Sequence, residues 1–184
     1  MPRSASNLVW IDLETTGLDL ETRTILEIAT IITDKDLNTL EEGPDLVIHL
    51  PDEILSSMDP WCMKQHSATG LVEASRTSTV TLEEAEEETL KFIRKHCPAK
   101  MCPLSGNSIC FDRRFLIRYM PRINDFLNYR NVDVSSIKEL VYRWKPGING
   151  QLEKKSTHRA LDDIRESIDE LRLYRRLVFG EQDA

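Results

Sequence analysis

Asp12 and Glu14 occupy alternate positions of Val9-Trp10-Ile11-Asp12-Leu13-Glu14-Thr15-Thr16-Gly17, an otherwise apolar run that reads as a β-strand. Alternate strand residues project from one face, roughly 6–7 Å apart. Two unpaired carboxylates on a buried face are costly, so something positive should meet them. A divalent metal is the simplest candidate. The bland alternative is a half-buried edge strand whose polar face carries both acids. A third acid, Asp112, lies in Asn107-Ser108-Ile109-Cys110-Phe111-Asp112-Arg113-Arg114-Phe115. Asn107 is a suitable N-cap for a helix there. Phe111, Phe115 and Tyr119 would then form one apolar stripe, with Asp112 on its edge. A buried salt bridge to an arginine would account for Asp112 equally well. The fourth acid comes from His158-Arg159-Ala160-Leu161-Asp162-Asp163. At about 100° per residue, Asp163 flanks the apolar face set by Ala160, Leu161, Ile164, Ile168 and Leu171, while Asp162 points nearly opposite its centre. His158, five positions before Asp163, does not share its face and should project from the loop or first turn.

Four clustered carboxylates repel one another, and some would hold protons if left alone. Two divalent cations would balance them, an arrangement suited to in-line phosphoryl displacement. A histidine beside the attacking water can take its proton, because its pKa lies near working pH.

The elements that must position these residues follow from periodicity and punctuation. Residues 7–14 and 25–33 read as strands joined by a turn over Gly17–Thr24, and Leu46–His49 as a third strand after a break at Gly43-Pro44. Asp59-Pro60 opens a helix with proline in its first turn. Thr81 and Glu84 form a capping box for another, running to about His96. Its acids Glu83, Glu84, Glu86, Glu87 and Glu88 read as a solvated face near the positive end of the helix dipole. Short strands at Cys102–Ser105 and Tyr129–Asp133 lead into helices from about Ser108 and from Ser135 to Trp144. Lys145–Lys155 reads as a loop, and the last helix runs from about Arg159 to Val178. Strands first, then strands interleaved with helices, predict an α/β fold with helices packed on a mixed sheet.

The chain has 184 residues, 40% apolar and 30% charged, with a net charge of −7. That length fits one domain over residues 1–184, structured over about 7–179. No apolar run is long enough to span a bilayer. Residues 1–6 are too few and too polar for a signal peptide. A cytoplasmic location is expected, or a mitochondrial one if a transit peptide has been removed. Cys62, Cys97, Cys102 and Cys110 lack CxxC spacing and should be reduced thiols. His96-Cys97 with Cys102 is at most half a zinc site. The acidic balance argues against gripping long nucleic acid. It does not exclude nucleic acid held through metals, because bound cations invert the local charge.

The sequence Asp12-Leu13-Glu14-Thr15-Thr16-Gly17, then Asn107…Asp112, then His158…Asp163 resembles the three motifs of the DEDD 3′–5′ exonucleases. A histidine five residues before the last acid resembles the DEDDh branch. The branch that uses a tyrosine four residues before it has no tyrosine here. Leu8–Glu14, Gly106–Ile109, Arg113–Leu116, Tyr119–Pro121, Arg143–Pro146 and His158–Ser167 resemble the oligoribonucleases over nearly the whole chain. That resemblance implies a ribonuclease-H-like fold, a homodimer, and cleavage of very short RNA to 5′-mononucleotides. It implies that Asp12, Glu14, Asp112 and Asp163 hold two Mg²⁺ or Mn²⁺ ions, with His158 as general base. It further implies that Leu18 and Trp61 wedge the terminal bases, and that His66 lies near the substrate. Ser108, Arg130 and Ser135 would cap a 5′-phosphate, and Tyr129 would reach into the partner's site. Cys110-Phe111 departs from bacterial members that carry a polar residue before the acid.

Overall fold

The computed structural model describes residues 3–148 and 159–180. Five strands, β1 (Leu8–Thr15), β2 (Ile25–Thr33), β3 (Thr39–Val47), β4 (Leu104–Gly106) and β5 (Asn131–Asp133), form one sheet in the order β3-β2-β1-β4-β5. The β1/β2 and β2/β3 pairs are antiparallel, whereas β1/β4 and β4/β5 are parallel. The sheet is therefore mixed, as expected. β1 lies in its interior, so Asp12 and Glu14 are not on an edge strand.

Helices cover both faces. On one side, Val9, Ile11 and Leu13 of β1 pack with α4 (Leu82–His96) and α5 (Ile109–Tyr119). The short helices α1 (Asp52–Ser56), α2 (Pro60–Ala68), α3 (Leu71–Thr77) and α6 (Pro121–Phe126) complete that layer. On the other side, Trp10 packs with α7 (Val134–Trp144) and α8 (Ala160–Val178). The pleat of β1 thus sorts its residues: apolar ones go to the first layer, and Trp10, Asp12 and Glu14 to the α8 side. The buried Trp10 indole donates to Thr33 Oγ1 at 3.0 Å, which satisfies its only polar atom.

Local signals explain the helix starts. Asp59 accepts from the Trp61 amide with Pro60 in the first turn. Thr81 and Glu84 make both arms of the capping box. The structure differs from expectation at β3, at Glu86 and at Asn107. β3 does not begin after Gly43-Pro44 but runs through them. Ala29 pairs with Asp45 and Ile31 with Glu42, so β3 accommodates one extra residue as a bulge. Pro44 is tolerated because β3 is an edge strand, and Gly43 leaves room for the Phe92 ring, which a Cβ would strike. Glu86 does not belong to the solvated face of α4. It is buried and accepts from Arg122 N at 2.6 Å and Arg122 Nε at 2.7 Å, which fixes the start of α6. Asn107 does not cap α5, because the N-cap is Ser108 in a left-handed conformation with no side-chain cap. The loop expected over Lys145–Lys155 is described only to residue 148, as a 3₁₀ turn at Pro146–Ile148. Among the described residues all four cysteines are free thiols, and no helix is long and apolar enough to cross a membrane.

Candidate metal centre

The acids converge where β1 outlasts its parallel neighbour. The β4 pairing reaches only Trp10, so the Leu13 amide, further along, is open on that side. Asp112, on the first turns of α5, accepts from that amide at 3.0 Å and is 5% exposed. This is the crevice beyond the carboxyl ends of parallel strands, where α/β folds commonly bind ligands. Across the sheet, oxygen atoms of Asp12, Glu14 and Asp163 all lie within 4.8 Å of one another. Asp163 reaches them from the first turn of α8. Asp162, one residue earlier, instead pairs with Arg165 at 2.7 Å, its side chain 45% exposed. Arg165 in turn holds Glu42 of β3 at 2.6 Å.

The electrostatics of this group are those of a cation trap. Burial, then the charges of Asp112, Glu14, Asp163 and Glu27, holds the Asp12 carboxyl well above the usual range. Burial, then Asp163 and Glu27, pushes Glu14 up to about 8. Burial pushes Asp112 up to about 7, although the Leu13 amide favours its ionised form. All-oxygen donors of high charge suit hard divalent cations, which would replace the protons these groups otherwise retain. The residues therefore fit divalent metal binding.

His158 lies outside the described residues. The residue after it, Arg159, is anchored: its guanidinium donates to Glu27 Oε1 from Nε at 2.9 Å and from the terminal nitrogen at 2.6 Å. Glu27 Oε2 also accepts from the Ala160 amide at 3.1 Å, so one fully buried carboxylate pins the start of α8. Glu27 stands directly across from Glu14 in the β1/β2 register. Asp45 adjoins it, pushed up to about 6 by burial and by Glu27. Glu27, Asp45 and Arg159 are not among the site residues expected from the sequence. The available signal was Glu27 itself, the one charged residue in the run Ile25–Thr33.

The remaining candidates fall into two groups around this centre. Near the turn after β1, the Asp59 amide donates to the Thr16 carbonyl at 2.9 Å, which joins the start of α2 to that turn. Leu18 and Trp61 flank this bond, 75% and 59% exposed. Trp61 is therefore not a core residue. His66 is buried, with Nε2 3.0 Å from the Thr15 carbonyl oxygen and 3.8 Å from Glu14 Oε2. It braces the end of β1 beside Glu14 rather than standing on open surface. On the other side, the Ser108 and Ser135 hydroxyls are 3.1 Å apart. Tyr129 is 76% exposed, and the exposed Arg130 guanidinium lies over its ring at 5.0 Å.

Comparison with known proteins agrees with this geometry. The RNase T family model, described as an exonuclease, matches residues 9–171. The oligoribonuclease of Pseudomonas aeruginosa is 54% identical over 173 residues, covering 94% of this chain and 96% of the relative. That of Pseudoalteromonas atlantica is 52% identical over 180 residues, covering 98% and 99%. Among solved structures, Escherichia coli exonuclease I in complex with a 5cy-dT13 oligonucleotide superposes with a TM-score of 0.73 at 16% identity. It is matched by 94% of this chain over 41% of its own length, and the likeness shows a shared ribonuclease-H-like fold. With near-complete relatives at this identity and a family model spanning the acid cluster, the chain belongs to the oligoribonucleases, within the RNase T exonuclease family.

Proposed function

We propose that this protein hydrolyses very short oligoribonucleotides from the 3′ end, dinucleotides foremost, to 5′-mononucleotides. The observation that carries this reading is the convergence of Asp12, Glu14 and Asp163 oxygens within 4.8 Å, with Asp112 buried alongside. These four would hold two Mg²⁺ or Mn²⁺ ions. Bound cations supply charge stabilisation for the phosphoryl group and lower the pKa of the attacking water. His158 would take the proton of that water on a ring nitrogen. The Glu27–Arg159 pair fixes the chain immediately after it.

The exposed Leu18 and Trp61 would wedge the terminal bases, a contact that tolerates any base, with His66 bracing the adjoining wall. Ser108, Ser135 and Arg130 would receive the 5′-phosphate, and that cap would limit chain length. The net charge of −7 leaves little surface for gripping a long polymer. We further propose a homodimer in the cytoplasm, in which Tyr129 reaches the partner's site. Leu140, Tyr142 and Trp144 on α7, 43%, 66% and 68% exposed, support that interface. The 1–184 chain would act as one exonuclease domain.

Turnover of a labelled 5′-phosphorylated diribonucleotide, compared with a long single-stranded RNA and a long single-stranded DNA, tests the reading. Rapid cleavage of the dimer that EDTA abolishes is the expected result. Equal activity on long strands would remove the length claim, and a preference for DNA would point to a general exonuclease. Changing His158 to alanine should lower kcat by ~10²–10⁴-fold, the range for losing a general base. Dinucleotide binding in Ca²⁺ should persist. Near-normal turnover in that variant would rule His158 out as the base.

A further inference from the structure

We infer that Asn107 and Glu170 are positioning residues which orient the Ser108–Ser135 pair toward a substrate phosphate and tie it to the helix turn bearing Asp163. The inference rests on the 5′-phosphate reading above. It starts from Ser108, which adopts φ 50 and ψ 31, a left-handed conformation uncommon for a residue with a side chain. That conformation aims the Ser108 amide at the N-terminus of α7. It donates to Ser135 Oγ at 2.9 Å and to Asp133 Oδ1 at 3.1 Å. The Ser135 hydroxyl donates in turn to Asn107 Oδ1 at 3.0 Å.

What decides the direction of that bond is deeper. Asn107 Nδ2 donates to Glu170 Oε2 at 3.1 Å and to Ser167 Oγ at 2.8 Å. A carboxylate can only accept, so it selects the amide orientation that turns Oδ1 toward Ser135. Glu170 is 1% exposed, and its other oxygen accepts from Tyr174 Oη at 2.7 Å and faces Lys138 Nζ at 3.2 Å. With the Ser135 proton committed to Asn107, the exposed Ser108 hydroxyl is the donor that can rotate toward an incoming anion. Ser167 completes the link, donating to the Asp163 backbone carbonyl at 2.8 Å. One amide thus joins the phosphate-facing serines to the helix turn that carries Asp163. The spacing between the cap and the centre is set through Asn107.

The test is steady-state kinetics on one diribonucleotide, with a 5′-phosphate and with a 5′-hydroxyl, in E170Q, N107A, S167A, Y174F and S108A. In E170Q and N107A the KM for the phosphorylated form should rise about tenfold, as for loss of a hydrogen bond to a charged group. The KM for the hydroxyl form should stay within about twofold, and kcat on both should change less than KM. Y174F and S167A remove single hydroxyls from the same network and should show smaller losses of the same selectivity. They carry the test if E170Q or N107A fails to fold. Equal changes on both substrates in these four variants, or no change, would overturn the inference. S108A separates the layers. If it abolishes the 5′-phosphate preference while the other four retain it, the cap stands and the positioning role falls. If S108A leaves the preference intact, the phosphate reading fails and takes this inference with it.

Discussion

Asp163→Asn is expected to lower turnover by ~10²-fold or more, because metal-borne charge stabilisation is worth several kcal/mol and each 1.36 kcal/mol is a factor of ten. Asp162→Asn, one residue away and chemically identical, should change turnover by less than about fivefold, since exposed ion pairs contribute about 1 kcal/mol at most. The contrast comes from helix phase. Asp163 leaves α8 on the side that meets β1, among the oxygens of Asp12 and Glu14. Asp162 leaves it toward solvent and pairs with Arg165. Neither change should unfold the protein. Ser167 bonds the Asp163 main-chain carbonyl rather than its carboxylate, and asparagine keeps the same shape. Removing one of several repelling charges should even raise the melting temperature of the chelated enzyme. Steady-state rates on a dinucleotide, with melting curves for both variants, check this. The reverse order of damage would refute the assignment of Asp163 as ligand.

That contrast was legible without coordinates, because it needs only the 100° step of a helix and the apolar stripe from Ala160 to Leu171. So was the common face of Asp12 and Glu14, which follows from the period of a strand. The start of α4 was equally plain, since Thr81 and Glu84 satisfy each other locally. What stayed hidden depends on pairing between distant segments. Glu27 meets Glu14 through the register of β1 on β2 and meets Arg159 across 132 residues of sequence. No local pattern reports either fact. Asn107 looked like a helix cap because its residue type favours that role. Tertiary partners on α8 claimed its side chain instead, and the cap position moved to Ser108. Glu86 misled in the same way: a run of glutamates reads as a wet helix face until Arg122 arrives to pair with one of them. Gly43-Pro44 suggested a break because both residues weaken strands, yet a bulge on an edge strand absorbs them.

The acid cluster also predicts how the chelated protein responds to pH. Glu14 is pushed up to about 8 from 4.5 and Asp112 up to about 7 from 3.8, both by burial first, and Asp12 is raised as well. The folded state therefore holds protons on these groups that the unfolded chain has already released. Stability from a raised carboxylate is fully present below its unfolded value and is lost as pH rises through its folded value. The metal-free protein should lose stability across about pH 5 to 8, at about 1.4 kcal/mol per pH unit for each proton so retained. His96, pushed down by burial, works in the opposite direction over the lower part of that range, one group against four, since Asp45 is raised there too. Divalent cations compete with those same protons, so they should bind more tightly as pH rises and reverse the trend. Melting temperatures in EDTA should fall from pH 5.5 to 8.5, and the gain on adding Mg²⁺ or Mn²⁺ should grow over the same interval. Asp12→Asn should flatten both responses by removing the most heavily opposed charge. If the chelated protein instead melts at a constant or rising temperature over this range, or gains equally from metal at both ends, the carboxylates do not share one buried centre and the metal assignment fails.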